Sequence, residues 1–146
     1  MKVRIDIDIP KGMRLTATMM REGLGAGSSY LEHRIKRSFK PGTGRWYKRP
    51  GRWHRASVAG ATPAVDYGNL KNAIEHDVRE QRDLIIGRVG TNVRARAFIM
   101  GYERKLEFGS SRTKARPFMR RTAYEEVEAM RSVIGNAARR AGRTLK

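Results

Sequence analysis

The chain has 146 residues with 32 Lys or Arg, 14 Asp or Glu and no Cys, which gives a formal net charge of +18 at pH 7. The length suits a single domain, residues 1–146, that buries about two thirds of its unfolded surface, and the charge favours polyanions or acidic protein faces as partners. Disulfides and thiolate chemistry are excluded, and without a long apolar run or a signal-peptide core we expect a soluble protein of the cytosol with no membrane partner.

The first element of the chain is predicted to be a strand. Residues 2–9 alternate charged and apolar side chains with the period of two that a half-buried strand requires, and Pro10 ends the ladder. Residues 13–22 fit a strand and a helix equally well, so their conformation stays open. The glycine-rich GLGAG at 23–27 is expected to interrupt whatever precedes it.

A short helix is predicted to follow the glycines. Ser29 and Glu32 have the spacing of a capping box at a helix start, and Pro41 marks the limit of the helix. The apolar residues on one side of this helix are Leu31, Ile35 and Phe39. Their spacing allows that side to face a core.

A long basic loop is predicted over residues 40–66, because prolines and glycines recur throughout it. The overlapping segment 34–55 carries nine Lys or Arg and no acidic residue. Aromatic side chains are interleaved with these cations, as on surfaces that contact an acidic partner or DNA. The candidate contact residues are Arg45, Trp46, Tyr47, Lys48, Arg49, Arg52, Trp53 and Arg55.

Two strands are predicted after the loop, at 70–79 and 83–90, with residues 81–83 forming the turn between them. Gly87 interrupts the second strand and is expected to mark a bulge. Residues 95–108 carry closely spaced apolar side chains that fit a short helix or a strand. We assign part of this last segment to the sheet.

A long amphipathic helix is predicted over residues 117–141. Pro117 suits the first helical turn, where its missing N–H would be unpaired in any case. Apolar side chains then recur at spacings of three and four at Met119, Ala123, Val127, Met130, Ile134, Ala137 and Ala141. Together the elements predict an α+β fold, in which a small antiparallel sheet has this helix packed on one face and is joined by the shorter N-terminal helix.

No catalytic, metal or cofactor site is expected. The three histidines lie in unrelated segments, and no cysteine accompanies them to complete a zinc site. GLGAG lacks the spacing of a dinucleotide-binding turn, no P-loop occurs, and Ser57 is not in a nucleophile elbow. Glu125 and Glu126 fit solvated carboxylates near a helix start. We therefore expect a protein that is not an enzyme.

Glu107 needs an explanation of its own, because it lies between the apolar residues Leu106 and Phe108. A carboxylate in such a position is either a general base or, more commonly, an acceptor of hydrogen bonds that hold a turn. We favour the second interpretation, in which Glu107 is structural.

The basic segment 34–55 permits an alternative function. Lys and Arg that contact phosphates, with Trp and Tyr that stack on bases, are the ingredients of a single-strand binding site. No helix-turn-helix, RNP motif or zinc finger accompanies them, and a basic loop equally fits an acidic partner in an assembly. Nucleic-acid binding through this segment is therefore the alternative.

Four segments follow one another along the chain: PAVDYGNLKNAI at 63–74, GRVGT at 87–91, YERKLEFGS at 102–110 and ARPFMRRTA at 115–123. In order and spacing they resemble the signatures of a family of small neck and tail-completion proteins of long-tailed bacteriophages. The residues that carry the likeness are Pro63, Asp66, Gly68, Leu70, Tyr102, Glu107, Phe108, Gly109, Arg116, Pro117 and Phe118. Tyr67 and Ser110 depart from the family, which commonly has Thr at both positions.

The resemblance, which covers about residues 54–141, implies several structural features. In the family the Pro-x-Asp-x-Gly-x-Leu pattern opens the first strand of the sheet, and Arg-Pro-Phe begins the long C-terminal helix. The N-terminal third departs from the family, whose members tend to have a long helix there, because this chain has GLGAG in the middle of it. Glu107 is implied to end a core strand and to bind the Gly-Ser-Ser turn or the Arg116 guanidinium, thereby fixing where the helix starts. Gly109 is implied to adopt a backbone conformation that a Cβ forbids.

The function that the resemblance implies is structural. Such a protein forms a ring, expected to be a hexamer, at the head-tail junction of the virion. Its partners would be its own copies, the neighbouring neck and connector proteins, and the tail-terminator or tail-tube proteins, with non-specific contact to packaged DNA. Assembly would take place in the cytoplasm of the bacterial host.

Overall fold

The computed structural model describes residues 2–4, 16–81, 84–92 and 101–144. Within these ranges the fold is α+β, as predicted, with small antiparallel sheets and a long C-terminal helix. The elements in chain order are β1 (Lys2–Arg4), α1 (Ala17–Ser38), β2 (Trp46–Arg49), β3 (Arg52–Arg55), α2 (Asn69–Asn72), β4 (Ile74–Gln81), β5 (Leu84–Thr91), α3 (Tyr102–Phe108), α4 (Met119–Glu125) and α5 (Val127–Thr144). None of the described helices is both long enough and apolar enough to cross a lipid bilayer.

Helix α1 has 22 residues and begins at Ala17, well before the start that the capping-box spacing of Ser29 and Glu32 predicts. Thr16 caps its start, where the hydroxyl accepts a hydrogen bond from the Met19 N–H at 3.2 Å. The glycines at 23–27 do not interrupt the helix, and Ser29 is inside it rather than at its N-cap. The helix ends before Pro41, as predicted.

The glycines of α1 allow neighbouring elements to come close. A Cβ on Gly27 would overlap the Ile134 side chain, and a Cβ on Gly23 would lie 3.1 Å from the backbone oxygen of Ile134. In strand β5, a Cβ on Gly87 would crowd the hydroxyl of Ser28 in α1. A glycine inside a helix costs about 1 kcal/mol of helix propensity relative to alanine, and close packing of α1 against α5 offsets that cost.

The larger sheet has the strand order β1-β5-β4, and both pairings are antiparallel. Its β4–β5 register runs without a slip from Ile74 opposite Thr91 to Gln81 opposite Leu84. The bulge predicted at Gly87 is therefore wrong, and the glycine there serves the contact with α1. Helix α1, rather than the C-terminal helix, makes the extensive contacts with β4 and β5, while α5 packs along α1. Of the predicted C-terminal helix, the part named α4 contacts β1, whereas β4 and β5 are covered by α1.

Two further boundaries differ from the prediction. The strand predicted over 70–79 begins only at Ile74, because residues 69–72 form the single helical turn α2. Residues 102–108, predicted to lie partly in the sheet, form helix α3. Parts of four predicted segments lie outside the described residues. They are residues 5–9 of the first strand, residues 13–15 of the open segment 13–22, residues 82–83 of the predicted turn, and residues 95–100 of the segment 95–108.

The predicted C-terminal helix is divided in two at Glu126, whose φ of −102° and ψ of 7° depart from helical values. It also begins at Met119, two residues after Pro117. The carboxylate of Glu126 accepts hydrogen bonds from Tyr30 Oη and Arg34 Nε of α1, both at 2.6 Å. The hydrogen bond from Tyr30 and the charge of Arg34 lower the pKa of the Glu126 carboxyl. These bonds therefore contribute stability that is fully present at pH values above the ordinary pKa of a glutamate, and that is lost as the pH falls through the lowered pKa.

The core lies where α1, α4, α5 and the sheet meet. Phe118 is fully buried, and its ring meets that of Phe39 edge to face with 5.2 Å between the centroids. The other buried apolar residues of this cluster are Leu31, Ile35, Leu70, Ala73, Ile74, Val89, Leu106, Met119, Met130 and Ile134. The core therefore fixes the start of α4, next to the motifs that carry the resemblance.

Candidate functional site

Residues 46–55 form a β-hairpin, so the prediction of an irregular loop is wrong for this part of 40–66. The strands pair from Trp46 opposite Arg55 to the turn at Pro50 and Gly51. Gly51 has a φ of 73°, a left-handed conformation that suits a Pro-Gly turn. The sequence does not reveal these strands, because both of their faces carry cations and aromatic rings in place of an apolar and a polar face.

The register divides the hairpin into two faces, since residues directly opposite each other share a face. The inner face carries Tyr47, Arg49, Arg52 and His54. The outer face carries Trp46, Lys48, Trp53 and Arg55. The predicted contact residues are therefore close in space, but they do not form one continuous surface.

The inner face is held to the rest of the molecule by Asp66. The carboxylate of Asp66 lies 3.0 Å from Arg49 Nε, forms a second salt bridge with Arg52, and lies 3.6 Å from Nδ1 of His54. The Arg52 guanidinium also stacks over the ring of Tyr67, 4.2 Å from its centroid. One acidic residue of the resembling motif thus neutralises two of the cations of the basic segment.

The outer face has no such acidic partner in the described part of the chain. Trp46 and Trp53 are 56% and 63% exposed. The Arg55 guanidinium lies 5.7 Å from the centroid of a Trp46 ring, while its Nε donates a hydrogen bond to the backbone oxygen of Gly44 at 3.1 Å. The outer face is therefore an aromatic surface with cations at its corners.

The residues that follow the hairpin are bound to the segment before α4. Arg116 Nε donates to the Ser57 carbonyl at 3.1 Å, and the Gly60 N–H donates to the Ala115 carbonyl at 3.0 Å. These bonds attach the base of the hairpin to the core, so its tip extends from a fixed support.

Motif residues from separate segments line one cavity of about 170 Å³ beside the inner face. Its walls include Pro63, Asp66, Gly68, Leu70 and Tyr102. The structure therefore brings the first and third resembling segments together next to the hairpin. It separates Glu107, Gly109, Arg116, Pro117 and Phe118 from this cavity and gathers them at the junction of α3 and α4.

Glu107 organises the α3–α4 junction. Its fully buried carboxylate accepts hydrogen bonds from the backbone N–H groups of Phe118, Met119 and Arg120 at 2.8, 3.1 and 2.9 Å. These N–H groups lie at the start of α4, where no helical carbonyl precedes them. Glu107 fixes the helix start, as the resemblance implies, but it does so from a helix and not from the end of a strand.

The implied partners of Glu107 are wrong. Arg116 binds the Ser57 carbonyl, and Arg120 supplies the guanidinium beside Glu107, with Nε at 3.3 Å. The sequence analysis did not single out Arg120, although the helix predicted from residue 117 already places Arg120 in its first turn. The Arg120 guanidinium also covers the half-exposed ring of Phe108 at 4.3 Å from its centroid.

The expectation for Gly109 is confirmed. Its φ of 78° is in the left-handed region, and a Cβ would lie 3.0 Å from the Thr113 oxygen and 3.1 Å from the Ala115 nitrogen. The Gly-Ser-Ser turn is closed by a residue that follows it, because Ser110 Oγ accepts a hydrogen bond from the Thr113 N–H at 3.1 Å.

Among the described residues, no three His, Asp or Glu side chains are grouped so that they could hold a metal ion. Comparisons with models of protein families, with curated proteins and with solved structures find no match to this chain. The likeness to phage neck proteins therefore rests on the motifs in the sequence.

Replacing Asp66 with Asn is expected to loosen the hairpin. The change leaves Arg49 and Arg52 facing each other without a counter-charge, and the cost in stability is about 1 kcal/mol because the ion pairs are partly exposed. Hydrogen exchange should become faster at the hairpin amides and stay unchanged in α1. Asp77→Asn, which removes the exposed pair with Arg79, is the matched control. Unchanged exchange in the hairpin of Asp66→Asn would refute a positioning role for this carboxylate.

Proposed function

We propose that this chain is a structural virion protein of a tailed bacteriophage, a subunit of a ring at the junction of head and tail, and not an enzyme. The observation that carries the proposal is the ordered set of four motifs. Its support from geometry is that the motif residues form two contiguous parts, the cavity beside the hairpin and the α3–α4 junction. These parts hold an exposed aromatic hairpin in a defined position, as a subunit that docks onto neighbours requires.

The proposed partners are further copies of the chain, in a hexameric ring, together with the neck, connector and tail-terminator or tail-tube proteins. The large positive charge also allows non-specific contact with packaged DNA. Assembly in the bacterial cytoplasm and residence in the neck of the virion follow from this proposal.

Deletion of the gene from the phage that carries it tests the proposal directly. We expect DNA-filled heads and separate tails to accumulate in electron micrographs of the lysate, and a plasmid copy of the gene should restore joined particles. Normal numbers of tailed, infectious particles in the absence of the chain would refute the proposal.

The purified chain is expected to be a monomer or a weak ring. Its net charge of +18 opposes self-association, and subunits of this kind assemble when partners stabilise the bound state. Light scattering at low and at high salt measures the mass. A tight dimer at both salt concentrations would contradict this expectation.

Nucleic-acid binding remains the second candidate, and the exposure of Trp46 and Trp53 is the observation that favours it. The salt bridges of Arg49 and Arg52 to Asp66 count against it, because they reduce the number of cations available to phosphates. We expect weak binding of short DNA that is independent of sequence.

Affinity for DNA is therefore expected to disappear almost entirely between about 50 mM and about 200 mM salt, because counterion release supplies the free energy. A salt titration of wild type beside the Trp46→Ala, Trp53→Ala double variant is the measurement. Salt-resistant binding that the double variant loses, with particle assembly unharmed, would favour the nucleic-acid function over the neck protein.

A further inference from the structure

Both tryptophans of the chain stand on the outer face of the hairpin. Trp46 and Trp53 are diagonal neighbours in the β2–β3 register, so their rings lie within reach of a single ligand. Tryptophan and arginine are the side chains most enriched at the energetic centres of protein interfaces. Exposed aromatic rings grouped on one face of a sheet are typical of surfaces that a partner covers.

Within the described ranges, a second copy of this chain offers few carboxylates that could complement the outer face. Most carboxylates in the described ranges already form a salt bridge with Lys or Arg of the same chain. These carboxylates belong to Glu32, Asp66, Asp77, Glu80, Glu107, Glu125, Glu126 and Glu128. Outer faces of two copies would bring like charges together. The complementary partner is therefore a different, acidic protein.

Nucleic acid fits the outer face less well than an acidic protein does. The cations of the inner face are bound to Asp66, and Arg55 is partly engaged by the carbonyl of Gly44. A strand of nucleic acid needs a row of cations along its phosphates, whereas this face offers two tryptophans flanked by Lys48 and Arg55. An apolar ligand with a few carboxylates matches that arrangement.

We infer that the outer face binds an acidic amphipathic segment of a different protein. The apolar side chains of the segment pack on Trp46 and Trp53, and its carboxylates meet Lys48 and Arg55. Asp66 is a positioning residue for this surface, because it holds the opposite face. The inference rests on the proposed function, which makes the other protein a neighbour in the virion.

Intrinsic fluorescence tests the inference without a partner of known identity, since both tryptophans of the chain report from this face. The probe is a peptide of about 12 residues made of Glu and Leu, with the leucines on one face of a helix. Oligoglutamate of the same length supplies charge without apolar contact. A thymidine oligonucleotide of about 15 nucleotides supplies phosphates and stackable bases.

We expect a saturable blue shift of the emission with the Glu-Leu peptide at physiological salt, and binding at least about tenfold weaker with oligoglutamate. Anisotropy of the labelled peptide should show a loss of about tenfold or more for the Trp46→Ala, Trp53→Ala double variant. Tyr124→Ala, which removes an 84% exposed ring from α4, is the matched control and should leave binding unchanged.

Two results would overturn the inference: no emission change with the peptide, or a salt-resistant change with the oligonucleotide alone. The deletion of the gene separates this inference from the proposed function. If the chain binds the peptide but the phage joins heads to tails without it, the proposed neck function is rejected and the inferred binding surface is retained. Loss of joining with no peptide binding would reject the surface and keep the neck protein.

Discussion

Ile134→Asp is expected to lower the free energy of unfolding by about 3–5 kcal/mol, because it places an uncompensated charge between two helices. Ile134 is 7% exposed, and its side chain lies directly over Gly23 and Gly27 of α1. Glycines have no side chains that could rearrange to pair with a carboxylate. Water would reach the new charge only if α5 separated from α1, the helix that packs on the sheet.

Urea unfolding followed by circular dichroism measures this effect. Glu128→Gln is the control on the opposite side of α5, where the carboxylate is 78% exposed and paired with Arg131 at 2.7 Å. That variant should change stability by less than about 0.5 kcal/mol. Equal unfolding midpoints for the two variants would show that the apolar side of the helix is wrongly placed.

The fold class and the strands β4 and β5 could be predicted because their signals are local. The β-branched segment after Leu84 and the apolar spacing after Met119 are local patterns of a strand and a helix. The alternation of residues 2–9 likewise predicts a strand, of which the structure describes Lys2–Arg4. The first half of helix α1 could not be predicted, since its glycines are unfavourable by propensity and their benefit comes from Ile134, more than a hundred positions away. Tertiary packing overrides local preference there.

The division of the C-terminal helix illustrates the same limit. Nothing in the sequence near Glu126 indicates a break, because the apolar spacing continues through it. The break coincides with hydrogen bonds from Tyr30 and Arg34, which belong to a distant segment. Likewise, composition identified the basic segment, but only the register and Asp66 show which of its cations are free to meet a partner.

Glu107→Ala is the second change with a large expected effect, and it tests the junction that the resembling motifs build. Alanine leaves the N–H groups of Phe118, Met119 and Arg120 without their acceptor. The first two belong to fully buried residues, and each unsatisfied buried donor costs about 1–3 kcal/mol. The costs are not additive, so we expect a total loss of about 4 kcal/mol in the free energy of unfolding.

Glu107→Gln distinguishes the contribution of the hydrogen bonds from that of the volume that the side chain fills. Glutamine has nearly the same volume, but it keeps only one acceptor oxygen and turns an NH₂ group towards the remaining donors. We expect it to be intermediate, and Glu125→Ala, which removes an exposed carboxylate paired with Arg121 at 2.9 Å, to be nearly silent. Hydrogen exchange should show the first turn of α4 opening before α1 in the glutamine variant, because the lost acceptors serve that turn alone. If Glu107→Ala and Glu125→Ala had the same stability, the carboxylate would not be what fixes the start of α4, and the Arg-Pro-Phe motif would need another explanation.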